Sequence, residues 1–455
     1  MTKPALITLV MLLAFAACAA ADALDDYVEE GLENNLALKQ ADFSLAKSRA
    51  ALREARSRFL PSIGVRARYT HAGGGRDFEF PVGDFVNPIH EALNQLIGQD
   101  RFPTDVPNIT TPLLREREHE TKIEAVQPIF QPAIYYNCKI SSNLASAEEA
   151  AREVFKQDLV LEIKTAYYTY LKAVELVTLA EKTEEVLREN VRVSRSLFEN
   201  GKVTKDAIYR AQAELSETEQ QRAEAVKGET TARAYFNFLL NRPLDMAVMA
   251  TAPVDLPVEP LGEPGEIEAG ALARRYEPAR LRSGLEAARN GVRLSRAEYL
   301  PDLLLVYDYG YQGEIYRFGP DDDFWAASLV LQWDVFSGLG RKARVDQARA
   351  EERRLAAQLE EAKQSIRLEV RQGWESLRVG RAACQAALDR VDSATKSFEI
   401  VSAKYREGMA AHIEYLDARV AMTRAQVNLI VTKFDYHIKY AEYERAIGRK
   451  PSGSP

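Results

Sequence analysis

From Lys139 to Asn200 the chain contains neither proline nor glycine. Through that stretch Leu144, Ala147, Ala151, Phe155, Leu159, Ala166, Tyr170, Val174 and Val177 recur every three or four residues, and Val191 and Phe198 carry the stripe onward. Glu, Lys and Arg fill most of the gaps. Such spacing keeps one face against partner helices and the charges in water. At 1.5 Å per residue the segment predicts a helix of ~90 Å, far longer than a globular domain needs.

A turn at Gly201 and a returning helix over Thr204–Leu240 follow, ended by Asn241-Arg242-Pro243. A Pro/Gly-rich connector then runs from Ala252 to Gly265, and the plan repeats. Phe59-Leu60-Pro61 returns as Tyr299-Leu300-Pro301. Leu161 returns as Leu368, Gly201 as Gly408, Ala211 as Ala418 and Asn241 as Gly448, all at the single offset of 207 (368−161, 408−201, 418−211, 448−241). One offset across a whole helical hairpin marks an internal duplication. The expected layout is a leader over 1–21, a first structural repeat over 22–250, a linker over 251–266, a second repeat over 267–448 and a tail over 449–455.

Each repeat also holds two segments of period-two alternation. Ser62–Tyr69 sets apolar residues against Arg66 and Arg68, and Lys122–Phe130 is its expected partner. Leu303–Tyr311 places Leu303, Leu305, Tyr307, Tyr309 and Tyr311 on one face with Asp308 opposite. Ser328–Phe336 does the same with Leu329, Leu331, Trp333 and Val335 against Ser328, Gln332 and Asp334. Tyrosine and tryptophan near the strand ends suit a membrane barrel, and a half-buried sheet in a soluble protein is the alternative. Four strands cannot close a barrel, and open edges in lipid leave backbone groups unpaired at several kcal/mol each. Subunits would therefore pool strands, and three copies give twelve.

The N-terminus begins with Lys3, an apolar run from Ala5 to Ala17 and small residues through Ala23, the pattern of a secretory signal. Cleavage near Ala21 or Ala23 fits better than lipidation at Cys18, because Phe15 stands where a lipoprotein site carries an aliphatic residue. After cleavage Cys138 and Cys384 remain, too few for a disulfide framework. A net charge of −7 argues against nucleic acid, which calls for a basic face. No P-loop, Gly-x-Ser-x-Gly element or His-x-x-x-His pair is present, and His71, His90, His119, His412 and His437 lack metal-ligand spacing. The expectation is a protein without catalytic chemistry, cofactor or metal.

The ordered elements resemble the TolC-type outer-membrane efflux proteins over essentially the whole mature chain. The resemblance rests on Leu60-Pro61 and Leu300-Pro301 leading into strands, and on Gln127-Pro128-Ile129-Phe130 and Trp333-Asp334-Val335-Phe336-Ser337-Gly338 closing them. It rests also on Phe198-Glu199-Asn200-Gly201 and Tyr405-Arg406-Glu407-Gly408 near the hairpin ends, followed by Ala211-Gln212 and Leu416-Asp417-Ala418-Arg419. It implies a mainly α fold with a membrane β-barrel, formed as a homotrimer with a twelve-stranded β-barrel, four strands per chain, and a long α-helical barrel. It implies an exit duct in the outer membrane of a Gram-negative bacterium, extending into the periplasm. Such a duct serves a tripartite efflux or type I secretion system and passively conducts substrate delivered by an inner-membrane transporter and a periplasmic adaptor. A secreted periplasmic coiled-coil scaffold without a pore explains the helices but not four lipid-suited strands.

For the site residues, the resemblance places adaptor docking at Gly201, Lys202, Val203 and Thr204 and at Gly408, Met409 and Ala410. Asn200-Gly201-Lys202-Val203-Thr204 matches the drug-efflux type of tip only in part, and Glu407-Gly408-Met409-Ala410 departs further, leaving the adaptor class open. Glu414 and Asp417 lie three apart on one helical face. They either complement the helix dipole or, as the resemblance implies, line the pore constriction beside Tyr405. His71–Thr121 is expected as a long loop with a short helix over Pro88–Ile97.

Overall fold

The computed structural model describes residues 23–251, 256 and 262–449; the expected leader with Cys18, most of the connector and most of the tail lie outside them. Helices α1 (23–34) and α2 (Leu36–Ser57) lead into β1 (Ser62–His71). A small insertion follows, made of β2 (Asp77–Phe80), α3 (Val82–Ile97) and β3 (Ile109–Pro112). Next come β4 (Arg117–Phe130), the 68-residue α4 (Pro132–Glu199) and α5 (Lys205–Leu239). The second repeat consists of α6 (Pro264–Arg274), α7 (Glu277–Ala297), β5 (Asp302–Gly313), β6 (Asp323–Gln332), the 67-residue α8 (Gly340–Arg406) and α9 (His412–Ala446).

The chain divides into two compact units: Ala51–Ser141 with Arg289–Arg349, which holds the strands, and the remainder, which is helical. In the helical unit the 207-residue offset governs the boundaries: α4 and α8 end at Glu199 and Arg406, and α5 and α9 run Lys205–Leu239 and His412–Ala446. It governs the core as well. Leu159, Ile163 and Tyr170 in α4 are buried, and so are their counterparts Ile366, Val370 and Leu377 in α8. Phe236, Leu239 and Leu240 pair in the same way with Tyr443, Ala446 and Ile447. The first set packs with Leu24, Val28, Tyr167 and Phe434, the second with Ala271 and Cys384. Around Phe236 the ring of Tyr27 stands edge-on at 5.1 Å, a favoured aromatic geometry.

The long helices end by one device used four times. Gly201 at φ +69°, Asn241 at +56°, Gly408 at +76° and Gly448 at +67° take the left-handed conformation that lets the last carbonyls find donors. The amide of the next residue reaches back five positions in each case: Lys202 to Leu197 (2.9 Å), Arg242 to Asn237 (2.9 Å), Met409 to Lys404 (2.8 Å) and Arg449 to Glu444 (2.9 Å).

In the strand unit β1, β4, β5 and β6 form one antiparallel sheet in the order β1-β4-β5-β6, so the two repeats share a sheet through the β4–β5 pair. Three strands run further than the sequence predicts, and β6 is displaced. Expected over Ser328–Phe336, it spans Asp323–Gln332. Its pairing stops at Asp302–Gln332 because Pro301 has no N–H to extend the ladder. Beyond it, Trp333 Nε1 donates to the Tyr299 carbonyl (3.1 Å), and the Arg341 guanidinium binds the Asp334 carbonyl.

The long loop is likewise more ordered than the expected short helix. α3 starts at Val82, and Pro88 lies inside it rather than at its first turn. Segment 101–108 is bound along the polar side of the helix. Asn87 exchanges two hydrogen bonds with Val106 (2.9 Å each), and Asn94 Oδ1 accepts from the Arg101 and Phe102 amides. Gly83 permits the approach, since a Cβ there would stand 2.1 Å from the Val106 carbonyl oxygen.

Candidate functional site

Register divides the four-stranded sheet into two chemically opposite faces. Opposite residues share a face, so Val65, Ile123, Tyr309 and Trp325 form one row, and Ala125, Tyr307 and Ala327 another. Leu305 with Leu329 and Leu303 with Leu331 extend this apolar face. Its side chains are open to the surroundings, Trp325 at 68% and Val65 at 75%. Among the described residues no helix is long and apolar enough to cross a membrane; the sheet presents an apolar surface of another kind.

The opposite face is a lattice of charge. Arg66 pairs with Glu124 (3.2 Å), Arg68 with Glu120 (3.3 Å) and Lys122 with Asp308 (2.9 Å), and Lys122 also lies 3.8 Å from Glu120 and 3.6 Å from Glu124. Gly310 stands opposite Lys122, where a Cβ would meet the Lys122 Cβ at 2.6 Å and the Thr121 oxygen at 2.4 Å. Only glycine fits there. Period two gave the faces in the sequence, with Arg66, Arg68 and Asp308 set apart from the apolar residues. The ion pairing needed the cross-strand register, which alternation does not reveal.

At the far ends of the hairpins Gly201, Lys202 and Thr204, with Gly408 and Met409, are exposed, while Val203 and Ala410 are half-buried. Thr204 is the N-cap residue of α5, and its hydroxyl bonds the Asp206 carboxylate, which holds that acid below its usual range. Glu414 and Asp417 are both exposed near the start of α9. Tyr405 is not at the surface. It is 3% exposed, stacks on Tyr415 at 5.0 Å and packs against Leu416. Its hydroxyl and His412 Nδ1 are 2.9 Å apart. Burial, together with the charge of Arg210, pulls the His412 imidazole below its usual value, so it stays neutral at pH 7.

The structure thus places Glu414 and Asp417 on the open side of this hairpin end and Tyr405 within it. Sequence reasoning missed His412, Tyr415 and Arg419 as members of this cluster. The signal was the spacing of aromatic and imidazole rings across Gly408, read there only as scattered histidines.

A sheet apolar on one face and ion-paired on the other has the alternation that the wall of a membrane β-barrel carries. Comparison with known proteins points in the same direction. Residues 270–449 match the family described as outer membrane efflux protein. The chain is 25% identical over 356 residues to the alkaline protease secretion protein AprF of Pseudomonas aeruginosa, covering 76% of this chain and 73% of AprF. It is 22% identical over 423 residues to the outer membrane protein TolC of Escherichia coli, covering 87% and 76%. In fold it is similar to the outer-membrane channel OprN, with a TM-score of 0.77 over 95% of this chain and 91% of that one at 18% identity. The chain is thus similar, in its second repeat by sequence and in its fold, to outer-membrane efflux proteins of the TolC type.

Proposed function

We propose that three copies of this chain form an exit duct: a twelve-stranded barrel in the outer membrane continued by an α-helical barrel in the periplasm. The two-faced sheet carries the reading. Its outer strands β1 and β6 are each paired on one side only among the described residues, and a sheet in lipid must close. Three sheets joined edge to edge bring the apolar rows to the lipid and the Arg66–Glu124, Arg68–Glu120 and Lys122–Asp308 pairs to a watery lumen, the alternation membrane barrels require. Residues 22–250 and 267–448 act as the two structural repeats of each subunit, joined by 251–266 and preceded by an export signal over 1–21.

In this assembly Gly201–Thr204 and Gly408–Ala410 are the docking ends for a periplasmic adaptor, which links the duct to an inner-membrane transporter. Glu414 and Asp417 gather as six carboxylates about the threefold axis at the constriction. Tyr405 holds the start of α9 in place through His412. Conduction is passive and no residue performs catalysis; the inner-membrane transporter supplies the energy. Native mass spectrometry of detergent-extracted protein tests the assembly. The expected species is a trimer with its β-signal intact, and a monodisperse monomer that keeps that signal refutes the reading, as does extraction into buffer without detergent.

A further inference from the structure

Near the hairpin end, and within the helical unit, α4, α8 and α9 line a half-open cavity of about 550 Å³. Val186 and Val193 contribute apolar wall, and Phe398, Tyr405 and Tyr415 contribute rings. The polar lining is unbalanced. Arg419 is only 7% exposed and lines the cavity, and its Nε has no hydrogen-bond partner. Its guanidinium lies over the Phe398 ring, 5.4 Å away, and interacts electrostatically with Tyr415. Burial pushes its pKa down, and no carboxylate acts against that. Asn190 is 4% exposed, lines the same cavity and has an unpartnered Nδ2. Arg406 adds a second cation at the rim. The sole acid in the lining is Glu189, which is already held by Arg192 at 2.8 Å.

A buried guanidinium without a counter-charge is costly, and so is a buried amide donor without an acceptor. Both are relieved by the same group: a planar oxyanion, whose two oxygens match the fork of the guanidinium. The aromatic and valine walls leave room for an apolar body behind it. The first repeat has no such feature, because the position matching Arg419 (419−207) is the exposed, neutral Gln212.

We propose that this cavity binds a carboxylate, with Arg419 as its charge partner and Asn190 as a second donor. The carboxylate comes either from a free small acid or from an Asp or Glu side chain of a second copy of the chain.

The test uses full-length, detergent-purified protein and benzoate titrated calorimetrically at constant ionic strength, with benzyl alcohol as the neutral control. If the source is a free acid, wild type binds benzoate saturably at one site per chain, and Arg419→Gln weakens binding at least tenfold. If the source is a second copy, wild type binds no benzoate. Arg419→Gln then lowers the temperature at which the oligomer dissociates, while Arg419→Lys, which keeps the charge, lowers it less. Should Arg419→Gln not fold, Asn190→Asp serves, because it places a carboxylate inside the cavity. It weakens benzoate binding at least tenfold in the first case and loosens the oligomer by repelling the incoming acid in the second. The proposal is overturned if wild type binds no benzoate and neither substitution alters oligomer dissociation, or if benzoate binds equally well to wild type and both variants. Benzoate binding is read per chain, so this outcome and that of the assembly test are separate.

Discussion

Glu277 ties the start of α7 to two arginines. It opens α7, 2.5 Å from Arg275 and 2.7 Å from Arg445. The Arg275 side chain is 4% exposed and also bonds Glu369, while Arg445 reaches Asp158 at 2.6 Å. Burial alone would raise the Glu277 pKa, but the Arg275 hydrogen bonds and the charge of Arg445 overcome it and bring the carboxyl from 4.5 down to about 2. At 1.36 kcal/mol per unit, a shift of about 2.5 units corresponds to about 3 kcal/mol of native-state stabilisation. The sign is that of a depressed acid. The contribution is fully present above the unfolded value of 4.5, falls to about 1.4 kcal/mol near pH 3 and vanishes as the pH passes 2. Glu277→Gln should therefore lose about 3 kcal/mol at pH 7 and progressively less in acid. Denaturant unfolding followed by helical circular dichroism, at several pH values for both proteins, isolates the effect, because other carboxylates cancel in the difference. A difference that stays constant from pH 7 to pH 2.5 would falsify the assignment, since a packing defect has no such pH dependence.

Four further outcomes are expected. Replacing Glu414 by Gln together with Asp417 by Asn should reduce cation selectivity and block by multivalent cations in reconstituted channels, with the oligomer intact; unchanged selectivity would confine these acids to the helix dipole. Gly201→Ala and Gly408→Ala should each cost about 1 kcal/mol through the positive φ, whereas Gly228→Ala, within α5 and with nothing near its Cβ, should stabilise by up to about 1 kcal/mol in the same melts. His437 stacks on Tyr168 at 5.0 Å, and burial together with the Lys433 charge lowers its pKa to about 4. Stability should thus fall as the pH drops from 6.5 to 4, and His437→Phe should flatten that limb; a limb of unchanged slope would count against it. Cys138 and Cys384 are both free thiols. Iodoacetamide should label half-buried Cys138 well before Cys384, which is buried with its thiol pushed up, and equal rates would contradict this.

How far the sequence could be read depended on the range of the interactions that fix each feature. Helix ends are set by local chemistry, so Gly201, Gly408 and the 207-residue offset located α4, α5, α8 and α9 closely. Strand faces followed from period two. The end of β6 did not, because Arg341, Tyr299 and Pro301 decide it from more than one element, and the alternation of Trp333 and Val335 continues past the last ladder bond. The start of α3 was hidden by Pro88, which is more familiar as a helix opener than as an interior residue. At the hairpin end the exposed Glu414 and Asp417 could be named from pattern. The packing of Tyr405 onto Tyr415 and His412, and the isolation of Arg419, required knowing which helices surround them.

The duplication also bears on how the proposed threefold assembly would acquire a polarised constriction. Core positions are matched across the offset, Ile163 with Val370 and Leu159 with Ile366, so both hairpins can occupy equivalent places in one helical barrel. The hairpin ends are not matched. Where the second repeat carries Glu414 and Asp417, the first carries buried Ala207 and exposed Arg210 (414−207, 417−207), and Lys202 faces Met409 across the same offset. In the proposed trimer six hairpin ends of nearly one shape thus alternate between a basic and an acidic kind. The backbone is free to approach sixfold symmetry while the charge remains strictly threefold. In that proposed assembly the acids of the second repeat would lie on alternate hairpins only. The ends between them would carry Lys202 and Arg210, the latter 3.5 Å from Asp206.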